Sequence, residues 1–357
     1  MNELNNLFAT SKALLKKYFG YDSFRTGQEE IIKHILNGED CLGIMPTGAG
    51  KSICYQIPAM TFDGVTIVVS PLISLMKDQV DSLNDVGIPA TYINSSLSEF
   101  EYMQAIENAS RGMYKIIYVA PERLINENFF NLLKVLNISM FAIDEAHCVS
   151  QWGHDFRPSY KEIANVILNL KNRPIVTAFT ATATELVKED IINSLHLSNP
   201  FIITTGFDRK NLYFAVNTVD NKKEFILDYI KQNPTQSGII YCATRKNVEN
   251  VYDFLESNGI LVSKYHGGMT ERNRTQSQND FVYDKTLVMV ATNAFGMGID
   301  KSNIRFVIHF NMPKDLESYY QEAGRSGRDG DEAKCILLFS RADIVTNRVL
   351  IEQGNPE

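Results

Sequence analysis

The chain has 357 residues, 44% hydrophobic and 22% charged, with a formal net charge of −7. That is enough for two domains of ordinary size and excludes a disordered chain. No apolar stretch reaches membrane-span length and the polar, amphipathic N-terminus has no signal-peptide pattern, so a cytoplasmic protein without membrane attachment is expected. The acidic balance excludes indiscriminate attraction to nucleic acid. Residues 1–205 hold 16 basic and 22 acidic residues, and residues 206–357 hold 19 and 20, so any nucleic-acid surface has to be a local groove.

Short apolar runs alternate with amphipathic segments along the whole chain, which predicts α/β architecture with mostly parallel sheets flanked by helices. Strands are expected at 41–45, 65–70, 115–120, 140–144, 175–180 and 201–204. A second set follows at 213–216, 238–241, 262–266, 287–291, 305–309 and 333–339, with helices such as 247–257 and 314–323 between them. The break falls at TGFDRKN, residues 205–211. The expected organisation is therefore a first domain over 1–205, a second over 206–345 and a tail over 346–357. The five cysteines, Cys41, Cys54, Cys148, Cys242 and Cys335, are never closer than thirteen positions. They are read as buried thiols, and no zinc is expected.

Residues 45–52 read MPTGAGKS, after an expected strand and before an expected helix at 52–60. Glycines let successive backbone N–H groups face phosphates, and a helix N-terminus adds a favourable dipole. Thr47, Gly48, Ala49, Gly50, Lys51 and Ser52 are the binding candidates. Lys51 reaches the outer phosphates and the Ser52 hydroxyl ligates Mg²⁺. Ala stands at 49 without penalty unless its φ must be positive.

Residues 144–160, DEAHCVSQWGHDFRPSY, follow another apolar run. Asp144 is assigned to Mg²⁺ and Glu145 to the attacking water, the chemistry that a metal-bound triphosphate needs. The segment then carries the only tryptophan, Trp152. A lone Trp is usually a core anchor, but the small and polar neighbours of Trp152 are poor core companions. Trp152 and Phe156 are candidates for stacking on bases, with Arg157 for phosphate or cation–π contact. Adjacency suggests that gripping a strand and hydrolysing a nucleotide are coupled. A third element, QEAGRSGR at 321–328, offers Gln321, Arg325 and Arg328. Two arginines in a Gly-rich turn can stabilise charge on a transferred phosphoryl group.

In this order these blocks resemble superfamily 2 helicases with two RecA-like domains, and RecQ helicases most. The resemblance runs from about residue 19 to 339. FGYDSFRTGQ at 19–28 is similar to the family's adenine-reading motif, which implies that Gln28 bonds the base while Tyr21 and Arg25 stack on it. SPLISL (70–75) and APER (120–123) resemble strand-backbone contacts of the first domain, giving Ser70, Pro71 and Arg123. FTATA (179–183) resembles the block linking hydrolysis to domain movement. YCATR (241–245), YHGGM (265–269) and ATNAFGMGID (291–300) resemble the second-domain set, giving Arg245, His266 and Thr292. Residues 150–158 match the aromatic-rich loop that separates RecQ proteins from DEAD-box and DEAH-box RNA helicases.

The resemblance implies an ATP-dependent, Mg²⁺-requiring DNA helicase of the DEAH type. It moves 3′ to 5′ on single-stranded DNA, acts at single-strand/duplex junctions and serves repair and recombination. A monomer is expected. The competing readings are a duplex translocase or RNA helicase, and a nucleotide-gated DNA-binding module. Two departures stand out. RecQ proteins commonly continue into a four-cysteine zinc subdomain and a winged helix, so the sequence is either a catalytic-core fragment or a minimal relative. The other is Ala49, where relatives usually have Gly.

Overall fold

A computed structural model describes residues 2–153, 156–206, 209–295, 301–344 and 348. The chain divides into two compact units, residues 1–207 and 208–357. Among the described residues the first unit holds β1 (Cys41–Ile44), β2 (Val65–Val69), β3 (Ala90–Ile93), β4 (Ile116–Val119), β5 (Ile138–Ile143), β6 (Ile175–Thr180) and β7 (Phe201–Thr204). They form one parallel sheet in the order β3-β4-β2-β5-β6-β1-β7. The second unit holds β8 (Leu212–Asn217), β9 (Ser237–Tyr241), β10 (Val262–Tyr265), β11 (Val288–Ala291), β12 (Ile304–His309) and β13 (Ala333–Leu338). These are also all parallel, in the order β10-β11-β9-β12-β13-β8.

The central strands are continuous apolar runs because helices cover both faces of a parallel sheet. Along β5 the side chains alternate between two cores. Phe141 and Ile143 face one with Phe129, Ile163 and Ile191; Met140 and Ala142 face the other with Ile31, Tyr55 and Met76. The second unit repeats the scheme, with Ile240, Val290 and Ile308 against Val248, Val251 and Leu255 on one face. Ile239, Met289 and Val307 pack against Phe281 and Phe295 on the other.

β3 is the strand that sequence patterning does not predict. Its four residues sit between Pro89 and Ser95 at the sheet edge, and Thr91 and Tyr92 are half-buried. All five cysteines are buried free thiols.

Candidate nucleotide and nucleic-acid site

β1 lies between β6 and β7, so the loop leaving it starts from a fixed point. It ends at the helix Lys51–Thr61. Gly48 (φ +83°) and Gly50 (φ +78°) occupy the left-handed region, and Ala49 is absent from the positive-φ residues. Glycine is therefore required at 48 and 50 but not at 49.

The loop carbonyls are taken up by the protein's own side chains. Arg25 Nη1 donates to Gly48 O (2.6 Å), and Gln28 Nε2 donates to Ala49 O (3.0 Å) and Gly50 O (3.1 Å). Lys51 Nζ donates to Met45 O (3.1 Å). Gln28 is buried, and its Oε1 accepts from Arg25 N (2.8 Å). Here both ends of the Gln28 amide serve the loop backbone, because a buried amide must satisfy its donors and acceptor locally. Arg25 likewise reaches Gly48, while Tyr21 remains exposed.

Asp144 follows β5, and its N–H donates to Val69 O (2.8 Å). Its carboxyl is buried and accepts from Glu145 N (3.0 Å). Burial pushes it up to about 7, the charge of Glu145 adds to this, and the Lys51 ammonium opposes it. Its ionised form therefore depends on cations nearby. Glu145 sits at φ +47°, a left-handed conformation that is strained for this side chain.

Next to it His147 is buried, with Nδ1 3.0 Å from Thr180 Oγ1 and 3.4 Å from Glu145 Oε2. Thr180 donates its single hydroxyl hydrogen to Thr182 O (3.0 Å), so it must accept from His147. That directs Nδ1–H at Thr180, with Glu145 Oε2 at ion-pair distance from the same nitrogen. Sequence reasoning placed both blocks but missed this link.

Among the described residues no group of three or more His, Cys, Asp or Glu could hold a metal. Ser52 and Asp144 are hard oxygen donors. They suit a Mg²⁺ that keeps most of its waters and takes further oxygens from phosphates.

The aromatic segment is anchored to this site. Trp152 is 69% exposed, which settles against a core anchor. Phe156 is half-buried beneath the Lys161 ammonium, 5.2 Å from its ring centre. Arg157 Nη1 donates to Pro71 O (3.1 Å), and its N–H to Cys148 O (2.9 Å). At the end of the segment, fully buried Tyr160 donates its hydroxyl to Asp144 O (2.9 Å). Tyr160 was missed as a functional residue, since nothing local signals a partner sixteen positions back. His154 and Asp155 lie outside the described residues.

The remaining strand-contact candidates divide. Ser70 and Pro71 are buried here, at the end of a strand packed on both faces. Arg123 holds Asn94 O (3.1 Å) and lies over the Tyr102 ring. In the second unit Arg245 is exposed at the start of the helix Arg245–Ser257. His266 is buried, with Nε2 2.8 Å from Glu249 and Nδ1 accepting from Gly268 N (3.1 Å). It orders the loop after β10. Thr292 is also buried, its hydroxyl accepting from Ala294 N (3.4 Å). Residues 296–300 of that motif lie outside the described residues.

Gln321, Arg325 and Arg328 follow on the helix Leu316–Ala323 and the turn after it. Gln321 and Arg328 are half-buried and Arg325 is buried. Glu322 packs inward, with Oε2 2.9 Å from His309 Nε2.

The DEAD/DEAH box helicase family model matches residues 25–190, and the helicase conserved C-terminal domain matches residues 221–330. The ATP-dependent DNA helicase RecQ of Bacillus subtilis (strain 168) is 51% identical over 348 residues, 97% of this chain and 59% of that protein. The chain belongs to the RecQ family. The RecQ-like DNA helicase BLM of Xenopus laevis is 42% identical over 97% of this chain and 26% of its own length. This RecQ chain thus spans little more than half of the B. subtilis relative. Among solved structures, S. cerevisiae Dbp5 bound to RNA and ADP BeF3 matches with a TM-score of 0.76 at 18% identity, over 98% of this chain and 92% of that chain. The two units are the tandem RecA-like domains of a helicase core.

Proposed function

We propose that the chain is the motor of an ATP-dependent DNA helicase that moves 3′ to 5′ on single-stranded DNA and opens duplexes during repair and recombination. The observation that carries the coupling in this reading is the hydrogen bond from Tyr160 to Asp144 O (2.9 Å). The segment with exposed Trp152 thereby ends on the backbone of the carboxylate pair, and a strand stacked on Trp152 can shift that pair. Base–aromatic stacking is worth about 1–3 kcal/mol whatever the base, enough to bias a local rearrangement. Family membership supports the substrate class.

In this mechanism the amides of the glycine loop cradle the phosphates while Lys51 neutralises the outer ones. Ser52 and Asp144 would hold Mg²⁺, which would supply charge compensation on the phosphate oxygens. Glu145 orients the attacking water and accepts its proton. His147, through Nδ1–H, keeps Glu145 in register with Thr180. Arg25 and Gln28 exchange their loop carbonyls for the base and ribose side of the nucleotide. Arg325 and Arg328 stabilise charge on the transferred phosphoryl group, and Gln321 belongs to the same motif. Arg245 and Arg123 contact the strand backbone, one from each unit.

Tyr160→Phe and Trp152→Ala test the reading. Both are expected to bind ATP normally, and single-stranded DNA should stimulate hydrolysis by each about tenfold less, in line with losing one stacking or buried hydrogen-bond contribution. Full stimulation in both variants overturns the coupling. Greater stimulation of the parent protein by RNA or duplex DNA than by single-stranded DNA overturns the substrate.

A further inference from the structure

The arginine turn of the second unit is gripped by residues from the start of that unit. Arg209 is the first described residue after the break between the units. Its Nη1 donates to Gly324 O (2.9 Å), and its Nη2 donates to Ser326 O (2.9 Å) and Gly327 O (2.5 Å). Asn211 Nδ2 adds bonds to Gly327 O and Asp331 O, each 2.8 Å. These carbonyls lie at and beyond the end of the helix Leu316–Ala323, where backbone acceptors lack helical partners and the macrodipole favours a cation. Gly327 is left-handed (φ +56°), and a Cβ there would come within 2.5 Å of Asn211 Nδ2. The turn is thus closed around two side chains of the segment that enters the unit. Inside it Arg325 is 5% exposed, and its Nε has no hydrogen-bond partner.

We propose that Arg209, assisted by Asn211, is a positioning residue for ATP hydrolysis. It sets the backbone of the 324–327 turn so that Arg325 and Arg328 meet the phosphoryl group in a defined orientation. The proposal rests on the reading of Arg325 as a phosphate contact. Bridging three carbonyls needs the planar fork of a guanidinium, and a lysine of equal charge cannot reproduce it. An arginine that acts on charge developing in the transition state loses rate rather than ground-state affinity when it is misplaced.

The test compares Arg209→Lys with Arg325→Ala in the full chain. The readouts are kcat and KM for DNA-stimulated hydrolysis, affinity for ADP and for ADP with aluminium fluoride, and hydrogen exchange across the second unit. Arg209→Lys is expected to lower kcat by about tenfold to a hundredfold, the cost of an ångström-scale misplacement. It should weaken the aluminium fluoride complex in proportion and leave ADP affinity, KM and exchange protection as in the parent. A parental kcat, or a loss explained wholly by exchange throughout the unit, overturns the proposal. If Arg209→Lys does not fold, Asn211→Ala is read instead with the same expected split. If Arg325→Ala retains parental aluminium fluoride affinity, the phosphate-contact reading itself falls. If only Arg325→Ala loses that affinity, the fault lies with Arg209.

Discussion

In chain order the strands of the first sheet, β3-β4-β2-β5-β6-β1, and of the second, β10-β11-β9-β12-β13-β8, follow the same permutation, with β7 added beside β1. The correspondence extends to chemistry. β1 leads to a helix that begins with Lys51, and β8 to one that begins with Lys222. Ligands of parallel α/β sheets sit at the C-terminal strand ends, so both lysines stand where a nucleotide is usually held. Lys222, however, donates to Phe310 O (2.7 Å) and Asp343 Oδ2 (2.8 Å). Where β5 continues into Asp144, β12 continues into Phe310 and Asn311, and Asn311 ties Ala243 N, Asn247 and Asp343 together. The first unit keeps its buried carboxylate clamp at the other end of the sheet. Asp40 takes Arg173, Val176 N (2.8 Å) and Ser198 N (2.7 Å) around the starts of β1 and β6. One topology thus makes a site or closes it, according to whether the lysine at the strand end already has a carboxylate.

Exchanging the lysines is the most severe way to break this comparison. Lys51→Ala is expected to cut ATP turnover by about 10²–10³-fold, the scale for removing one donor aimed at developing charge. Lys222→Ala is expected to leave the KM for ATP unchanged, because its ammonium is spent within the second unit. Steady-state kinetics decide the matter, and equal loss of ATP affinity in both variants would erase the distinction.

The clamps come next. Asp343→Ala strips the largely buried Lys222 ammonium of its carboxylate, at a cost of about 3 kcal/mol, whereas Asp40→Ala takes the acceptor from the Val176 and Ser198 N–H groups and leaves an exposed Arg173, at about 2 kcal/mol. Hydrogen exchange resolved by unit is expected to show loss of protection in the first unit alone for Asp40 and in the second alone for Asp343. Burial raises the Asp343 carboxyl, but hydrogen bonds from Asn311 and Lys222 outweigh it and hold the group below the usual carboxylate range. A depressed folded value means stability that is present above the unfolded carboxylate value, about 3.9, and lost as pH falls through the folded one. Acid titration of the second unit should show this loss in the parent protein and not in Asp343→Asn.

Which parts of this were readable beforehand follows from how each is encoded. A strand buried on both faces, such as VTIVV in β2, is a continuous apolar run and needs no tertiary knowledge. The loop at 45–52 and the carboxylates at 144–145 were legible because their chemistry needs particular residues at short spacing. What escaped were partnerships made in space. The Gln28 amide closing on Ala49 O and Gly50 O leaves no mark on local sequence, nor does the Tyr160 hydroxyl on Asp144 O, nor the grip of Arg209 on the arginine turn. Ser70, His266 and Thr292 were named as strand contacts through the motifs they belong to, and how far packing buries their side chains is equally unwritten in local sequence.

The mildest comparison concerns two helix ends. The helix Glu185–Ser194 of the first unit closes with His196 at φ +50°, and Leu197 N donates to Ile192 O (3.0 Å) and His196 N to Asn193 O (3.2 Å). That closure normally uses glycine. The helix Glu271–Val282 of the second unit closes with Asp284 at φ +57°. The His196 side chain is exposed, and its carbonyl accepts from Arg173 (3.0 Å). His196→Gly should therefore relieve left-handed strain and gain about 0.5 kcal/mol after the entropic cost of glycine. Asp284→Gly relieves the same strain but takes the carboxylate, 2.7 Å away, from Lys301, whose side chain is only 3% exposed. An unpaired buried ammonium costs more than the strain returns, so this variant should lose about 1 kcal/mol or more. Urea denaturation with exchange read at each helix end distinguishes the two. Opposite signs mean that the second unit uses its left-handed residue for charge and the first only for geometry, while a gain in both would show that Lys301 does not depend on Asp284.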